Sequence, residues 1–396
     1  MIARFLTAVS SEMQAVGVAW QVYSLTHRPL DLGLVGLAQF LPGILLFLPA
    51  GHTADHAPRK AILQVCFAAF SCCSLLLLVL TLHGITSIVP VYLVLLFNGV
   101  IRAFSAPASQ AFLPLIVPAE DFPSAVAWSS SNFQTATILG PIAGGVIYAA
   151  TGSAISVYGC AAVAYFLALI AMSSVRVEQA ERPRMVADPG ALLSGLRFIW
   201  KNKLILAAIS LDLFAVLLGG AVALLPVYAR EILNVGASGL GLLRTAPGVG
   251  AVVTAVIVAH WPLRRNAGAT MLWCVFGFGL ATVVFGISRN VALSLAALVI
   301  SGSCDMVSVI VRHTMIQLGT PDEMRGRVSA VNMVFIGASN EVGQFESGIT
   351  AQWFGTVPAV VLGGVGTIAI VALWAWWFPQ LRRVDRLPSA EASKSS

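Results

Sequence analysis

Residues 32–82 read LGLVGLAQFLPGILLFLPA, then GHTADHAPRK, then AILQVCFAAFSCCSLLLLVLTL. The two flanking stretches hold no Asp, Glu, Lys or Arg, whereas the ten-residue connector between them holds Asp55, Arg59 and Lys60. An uncharged apolar run of about 20 residues matches the hydrocarbon thickness of a bilayer when coiled as an α-helix. A helix is the open-ended choice there, because lipid leaves no partner for unpaired backbone groups. The stretch therefore predicts two antiparallel membrane helices joined by a short basic loop.

The same pattern recurs outward to both ends of the chain. Spans are expected at 3–25, 32–51, 61–82, 88–108, 124–149 and 154–175, and again at 204–229, 238–260, 268–287, 290–311, 328–352 and 357–378. The expected organisation is an N-terminal six-helix bundle (1–175), a cytoplasmic connection (176–203) whose second part forms an amphipathic helix on the membrane surface, a C-terminal six-helix bundle (204–378) and a cytoplasmic tail (379–396). The first span resembles a signal peptide in its position and its basic Arg4, but Glu12, Gln14 and Gln21 interrupt any continuous apolar core, so it is expected to be a span. The composition agrees: 58% of the 396 residues are hydrophobic and 10% charged, against about 25% charged in a soluble domain. The expected fold class is an all-α membrane protein of twelve transmembrane helices in two pseudo-symmetric six-helix bundles.

Orientation follows the placement of Lys and Arg. With both termini in the cytoplasm, Arg4, Arg59, Lys60, the bases from Arg176 to Lys203, Arg264, Arg265, Arg325, Arg327 and the tail bases lie inside. Arg28, Arg230 and Arg289 alone lie in outer loops. The net charge of +6 is thus a topological bias and forms no basic patch for nucleic acid. The six cysteines fall in apolar stretches without a C-x-x-C pair, so they read as small hydrophobes, and no metal or cofactor is expected. The scattered histidines and the lack of H-E-x-x-H, G-x-S-x-G or P-loop motifs argue against an enzyme.

The halves also repeat each other. At an offset of 203, Pro118-Ala119-Glu120 matches Pro321-Asp322-Glu323, Gly140 matches Gly343, and Arg102 meets Asp305. At 205, Gly36-Leu37 and Pro42-Gly43 match Gly241-Leu242 and Pro247-Gly248, and Arg59-Lys60 matches Arg264-Arg265. Matches kept in order across two six-span halves are what parallel transporter repeats produce.

The connector Gly51 to Lys60 resembles the G-x-x-x-D-[RK]-x-G-[RK]-[RK] loop of the major facilitator superfamily, with His56 and Pro58 departing from the usual base and glycine. The expectation is a conformational latch built from Gly51, Asp55, Arg59 and Lys60. In it the small residue lets two helices approach and the carboxylate holds a base or a helix N-terminus. Gly140-Pro141-Ile142-Ala143-Gly144-Gly145 resembles the G-P-x-x-G-G element of the superfamily's antiporters. Pro141 bends the helix, and Gly140, Gly144 and Gly145 permit close packing. A kinked, tightly packed helix with no bearing on transport direction is the other reading. Met13 to Val16, Trp20 to Tyr23, Leu32 to Pro42 and Pro321 to Ala330 resemble the branch containing siderophore and drug exporters. The resemblance implies an exporter in the bacterial inner membrane that takes a small-molecule substrate and protons as partners and works as a monomer. An importer of a polar nutrient and a non-transporting sensor are the alternatives on the same fold.

Ionisable groups within spans are costly and mark function. Here they are Glu12, Arg102, Asp212, Arg244, Asp305, Glu341 and Glu346, with Arg312 expected to snorkel at the cytoplasmic end of span ten. The resemblance implies that spans one, four, seven and ten line a central cavity. There Glu12 is expected to pair with Arg102, and Asp212 and Asp305, lacking a dedicated base, to share a proton. Arg244 is expected beside Glu346, and Glu341 is a third proton-carrier candidate without an obvious base. For each group the alternative is a fixed ion pair that serves only packing.

Overall fold

The computed structural model describes residues 1–85, 87–118, 120–175, 189–261 and 266–384. Among them there is no β-strand. The first set of helices is α1 (Ile2–Thr26), α2 (Pro29–Leu45), α3 (Phe47–His56), α4 (Arg59–Leu82), α5 (Val89–Ile116), α6 (Phe122–Thr151) and α7 (Ala154–Ser173). Then come α8 (Pro189–Lys201), α9 (Lys203–Gly219), α10 (Leu225–Val227), α11 (Gly236–His260), α12 (Ala267–Ile287), α13 (Val291–Gly319), α14 (Asp322–Phe354), α15 (Thr356–Trp377) and α16 (Pro379–Arg382). Nine helices among the described residues are long and apolar enough to cross a membrane. The expected spans one, two and eleven fall outside that set. The second is broken into α2 and α3, and α1 and α14 carry polar residues that a lipid-facing helix would not tolerate.

Two breaks have local causes. Pro49 has no N–H for the carbonyl of Leu45, so α2 ends there, and the proline sits in the first turn of α3 where no donor is needed. Span seven, expected as one helix over 204–229, stops at Gly219-Gly220. It continues as a 3₁₀ turn (Ala221–Leu224), α10 and a π turn (Tyr228–Ile232), with Pro226 unable to donate inside it. Several helices also run past their expected ends: α5 to Ile116, α13 to Gly319, and α14 from Asp322. Side-chain caps fix other boundaries. Ser153 accepts from the Ile155 amide, Asn202 from Leu204 and Ile205, and Asn290 from Leu293.

The helices form two compact units. One holds α1 to α7 together with Pro226–Thr245; the other holds α8, α9 and the turn to Leu225, then α11 from Ala246 onward with α12 to α16. In the first unit α1 is pinned by buried hydrogen bonds. The Ser74 hydroxyl donates to Gln14 Oε1 (2.5 Å), the Tyr158 hydroxyl donates to Gln21 Oε1 (2.7 Å), and Gln21 Nε2 donates to Thr81 (3.0 Å). In the second unit, Ile205, Ile209, Ile316, Val328 and Val331 form a core that also takes Ile199 of α8. The exposed side of α8 keeps Leu193 and Trp200, while Gly195 lets it approach the backbone of Arg327. Residues 176–188 of the expected connection, and the tail from 385, lie outside the described residues.

Candidate functional site

Of the four elements expected to supply the site, α1 brings Glu12. With Gln14 and Gln21 committed to α4 and α7, Glu12 is half-buried and its carboxylate lies 3.8 Å from Arg244 of α11. This corrects two expectations, since Glu12 was to pair with Arg102 and Arg244 with Glu346. Depth along a helix was readable by counting residues, but rotation about its axis was not, and rotation selects the partner. Glu346 instead accepts a hydrogen bond from Thr350 (2.8 Å), and Glu341 accepts one from Gln344 (3.2 Å).

Arg102 stands halfway along α5 and is exposed. The outward apolar face of α5 carries Leu93, Leu96 and Phe97. At 3.6 residues per turn Arg102 points about 180° from Leu93, away from that face. No ion pair reaches Arg102 among the described residues.

In the second unit, Asp212 of α9 is bridged by Arg312 of α13, and both side chains are buried. The expectation that Asp212 lacks a base, and that Arg312 snorkels at the end of its span, is thereby corrected. Because α13 continues two turns past residue 311, Arg312 sits inside the bundle and needs a counter-charge. Asp305, seven residues earlier, sits at the middle of the 29-residue α13, about 21 Å from either end. No hydrogen bond or ion pair reaches its side chain among the described residues.

The antiporter-like element is a packing surface on two sides. A Cβ on Gly140 would collide with Cβ of Glu12, and one on Gly144 would stand 2.7 Å from the Met13 carbonyl, so both glycines admit α1. Gly145 packs against Gly241 of α11, whose own Cα hydrogens face the Pro141 carbonyl. The Thr245 hydroxyl donates to the Ile138 carbonyl (3.1 Å), one turn before the proline. The latch residues behave differently. A Cβ on Gly51 would meet nothing within 4 Å, so Gly51 is not a point of close helix approach as expected. Arg59 donates to the carbonyls of Ala54 (3.3 Å) and Ala111 (2.9 Å), and Lys60 caps the end of α7 through Ser173 (2.9 Å) and Val175 (2.6 Å). The side chain of Asp55, and Arg264 and Arg265 of the repeated loop, lie outside what is described.

One contact was missed in the sequence altogether. The Tyr23 hydroxyl of α1 donates a hydrogen bond to Glu231 in the π turn, which ties the start of the Pro226–Thr245 segment to α1 within the first unit. Gly219-Gly220 and Pro226 signal the helix break that frees this segment, although nothing in the sequence points to Tyr23 as its partner.

Comparison with known proteins places this geometry in a family. The chain is 26% identical over its whole length to the enterobactin exporter EntS of Shigella boydii serotype 4, covering 94% of that protein. It is 25% identical, with the same coverage, to EntS of Escherichia coli O139:H28. A bacterial homolog of the human lysosomal transporter Spinster superposes with a TM-score of 0.74 at 13% identity, covering 96% of both chains. The nucleoside transporter NupG gives 0.68 at 12% identity, covering 95% of this chain and 97% of its own. These likenesses show the fold. Residues 1–395 match the profile described as transmembrane secretion effector, and the chain belongs to that family of major facilitator transporters.

Proposed function

We propose that the protein is a secondary exporter of small amphipathic molecules, siderophore-like or drug-like, which it moves across the inner membrane in exchange for protons by alternating access. The observation that carries the coupling is Asp305, a carboxylate at the centre of a membrane-crossing helix with no ion pair among the described residues. A carboxylate so placed is stable when it takes up a proton and costly when it loses one, which is the property a proton carrier cycles through. Asp212, held by Arg312, is the second acid of the pathway, and Glu341, Glu346 and the Glu12–Arg244 pair are the next candidates. Export, and a siderophore-like cargo, are supported by the enterobactin exporters that resemble the chain from end to end. Arg102, which has no ion pair among the described residues, suits a cargo with an anionic group. The reading divides the chain into halves at 1–175 and 204–378, with both termini in the cytoplasm.

The test uses inside-out vesicles with an imposed pH gradient and enterobactin as the first cargo. Accumulation that follows the gradient and is abolished in Asp305→Asn, with cargo binding retained, is the expected result. Gradient-driven accumulation undiminished in Asp305→Asn would remove Asp305 from the coupling. Cargo leaving the vesicles, against accumulation, would make the protein an importer.

A further inference from the structure

His52 and His56 lie one turn apart on α3, and both are exposed. Side chains four residues apart on a helix are neighbours on one face. Here the two rings meet, with centroids 4.0 Å apart and planes inclined by 30°. The His56 ring is also anchored to the backbone, because its Nδ1 lies 2.9 Å from the His52 carbonyl oxygen. A carbonyl can only accept, so Nδ1 carries the proton of the neutral ring. That leaves the lone pair on Nε2 of a ring that touches a second imidazole. His260 at the end of α11 makes the same contact, from Nδ1 to the Val256 carbonyl at 2.9 Å, but the residue one turn before it is that valine. It offers one imidazole where α3 offers two.

Two imidazoles four residues apart on a helix can ligate one transition-metal ion from the same face. An imidazole that ligates through one nitrogen almost always donates its other N–H to a carbonyl, a carboxylate or water, which fixes its tautomer and its orientation. The His52 carbonyl already gives His56 that support. Position along the helix favours a cation as well. His56 is the last residue of α3, where the unsatisfied carbonyls present partial negative charge. The nearby bases are engaged elsewhere: Arg59 donates to the carbonyls of Ala54 and Ala111, and Lys60 to those of Ser173 and Val175.

We propose that His52 and His56 form a binding site for a divalent transition-metal ion of the zinc and nickel class. Nε2 of His56 and a ring nitrogen of His52 supply two ligands, and water fills the remaining positions. A pair of neutral imidazoles selects such ions over magnesium and calcium, which take oxygen ligands. Both rings are exposed, so they can turn from contact to chelation by side-chain rotation alone. The bound ion bridges the last turn of α3 and sets positive charge at its end, which stiffens the connector leading into α4. The site stands apart from the proton-coupled export proposed above, and neither depends on the other.

The test uses the full protein in lipid, purified without a histidine tag, and two readouts. The first is calorimetric titration with zinc chloride, and with magnesium chloride for comparison, on the parent and on His52→Gln, His56→Gln and His260→Gln. The second is hydrogen exchange in the amides of residues 52–56 with and without zinc. One zinc bound per chain is expected, with the dissociation constant raised about tenfold or more in His52→Gln and in His56→Gln and unchanged in His260→Gln. Zinc should slow exchange in 52–56 of the parent and of His260→Gln, and in neither α3 variant. No saturable zinc binding, or parent affinity kept in either α3 variant, would overturn the site. Magnesium bound as tightly as zinc would overturn the class of ion. Zinc binding that depends on both histidines but leaves exchange in 52–56 unchanged would overturn the bridging of α3.

Discussion

Asp212 and Arg312 form an ion pair in which the side chains are only 6% and 3% exposed. Two charges withdrawn from water are held by each other, so removing one is far costlier than removing both. Arg312→Leu and Asp212→Asn should each cost about 3–5 kcal/mol of stability. The double variant should recover most of that loss. Thermal unfolding in detergent measures all three, and a double variant as unstable as the two single losses added would show that the groups are not coupled.

The glycines of the two motifs should respond oppositely. Gly144→Ala sets a methyl 2.7 Å from the Met13 carbonyl and 3.1 Å from its Cα, contacts only a backbone shift can relieve. A loss of about 1–3 kcal/mol is expected, as for overpacking elsewhere. Gly51→Ala meets nothing within 4 Å and lies in a helix, so it should be neutral or gain up to about 1 kcal/mol. Unfolding midpoints moving together would contradict this contrast.

How much of this was legible depended on which physical property each residue reports. Length and hydropathy place the helices, and the G-P-x-x-G-G spacing marks close approach on two sides, because glycines at i and i+4 share the side that meets α1 while the glycine at i+5 is turned toward α11. Partner choice was not legible. Glu12 reads as level with Arg102, and only the rotation of α1, set by Gln14 and Gln21 bonding α4 and α7, turns it to Arg244. Arg312 read as a terminal base because α13 was ended where apolar residues thin out, at 311, whereas the helix runs to Gly319. Inside a bundle a helix need not stay apolar, so hydropathy underestimates the length of the helices that carry function.

The Glu12–Arg244 pair differs from the buried one, with side chains 30% and 24% exposed and 3.8 Å between the charged atoms. Such a pair contributes under about 1 kcal/mol to stability. Glu12→Gln should therefore leave the unfolding midpoint almost unmoved. If the pair takes part in transport, both Glu12→Gln and Arg244→Gln should lower the rate, and the exchanged variant, Glu12→Arg with Arg244→Glu, should restore part of it. Vesicle transport checks this, and full activity in both single variants would assign the pair to packing alone.

Tyr23 and Glu231 give the sharpest check on the segment from Pro226 to Thr245. The Tyr23 ring is buried on α1 while Glu231 is exposed in the π turn, so their hydrogen bond is a polar tie between that turn and α1. Tyr23→Phe removes the donor and keeps the ring, which isolates the bond from the packing. It should cost about 1 kcal/mol, and it should raise hydrogen exchange in the amides of residues 226–235 while leaving α4 and α7 at their parent rates. Glu231→Gln still offers an acceptor without the charge, so its effect should fall between the parent and Tyr23→Phe. Exchange in 226–235 unchanged by Tyr23→Phe would mean that the backbone of the π turn, and not this hydrogen bond, holds the segment in place.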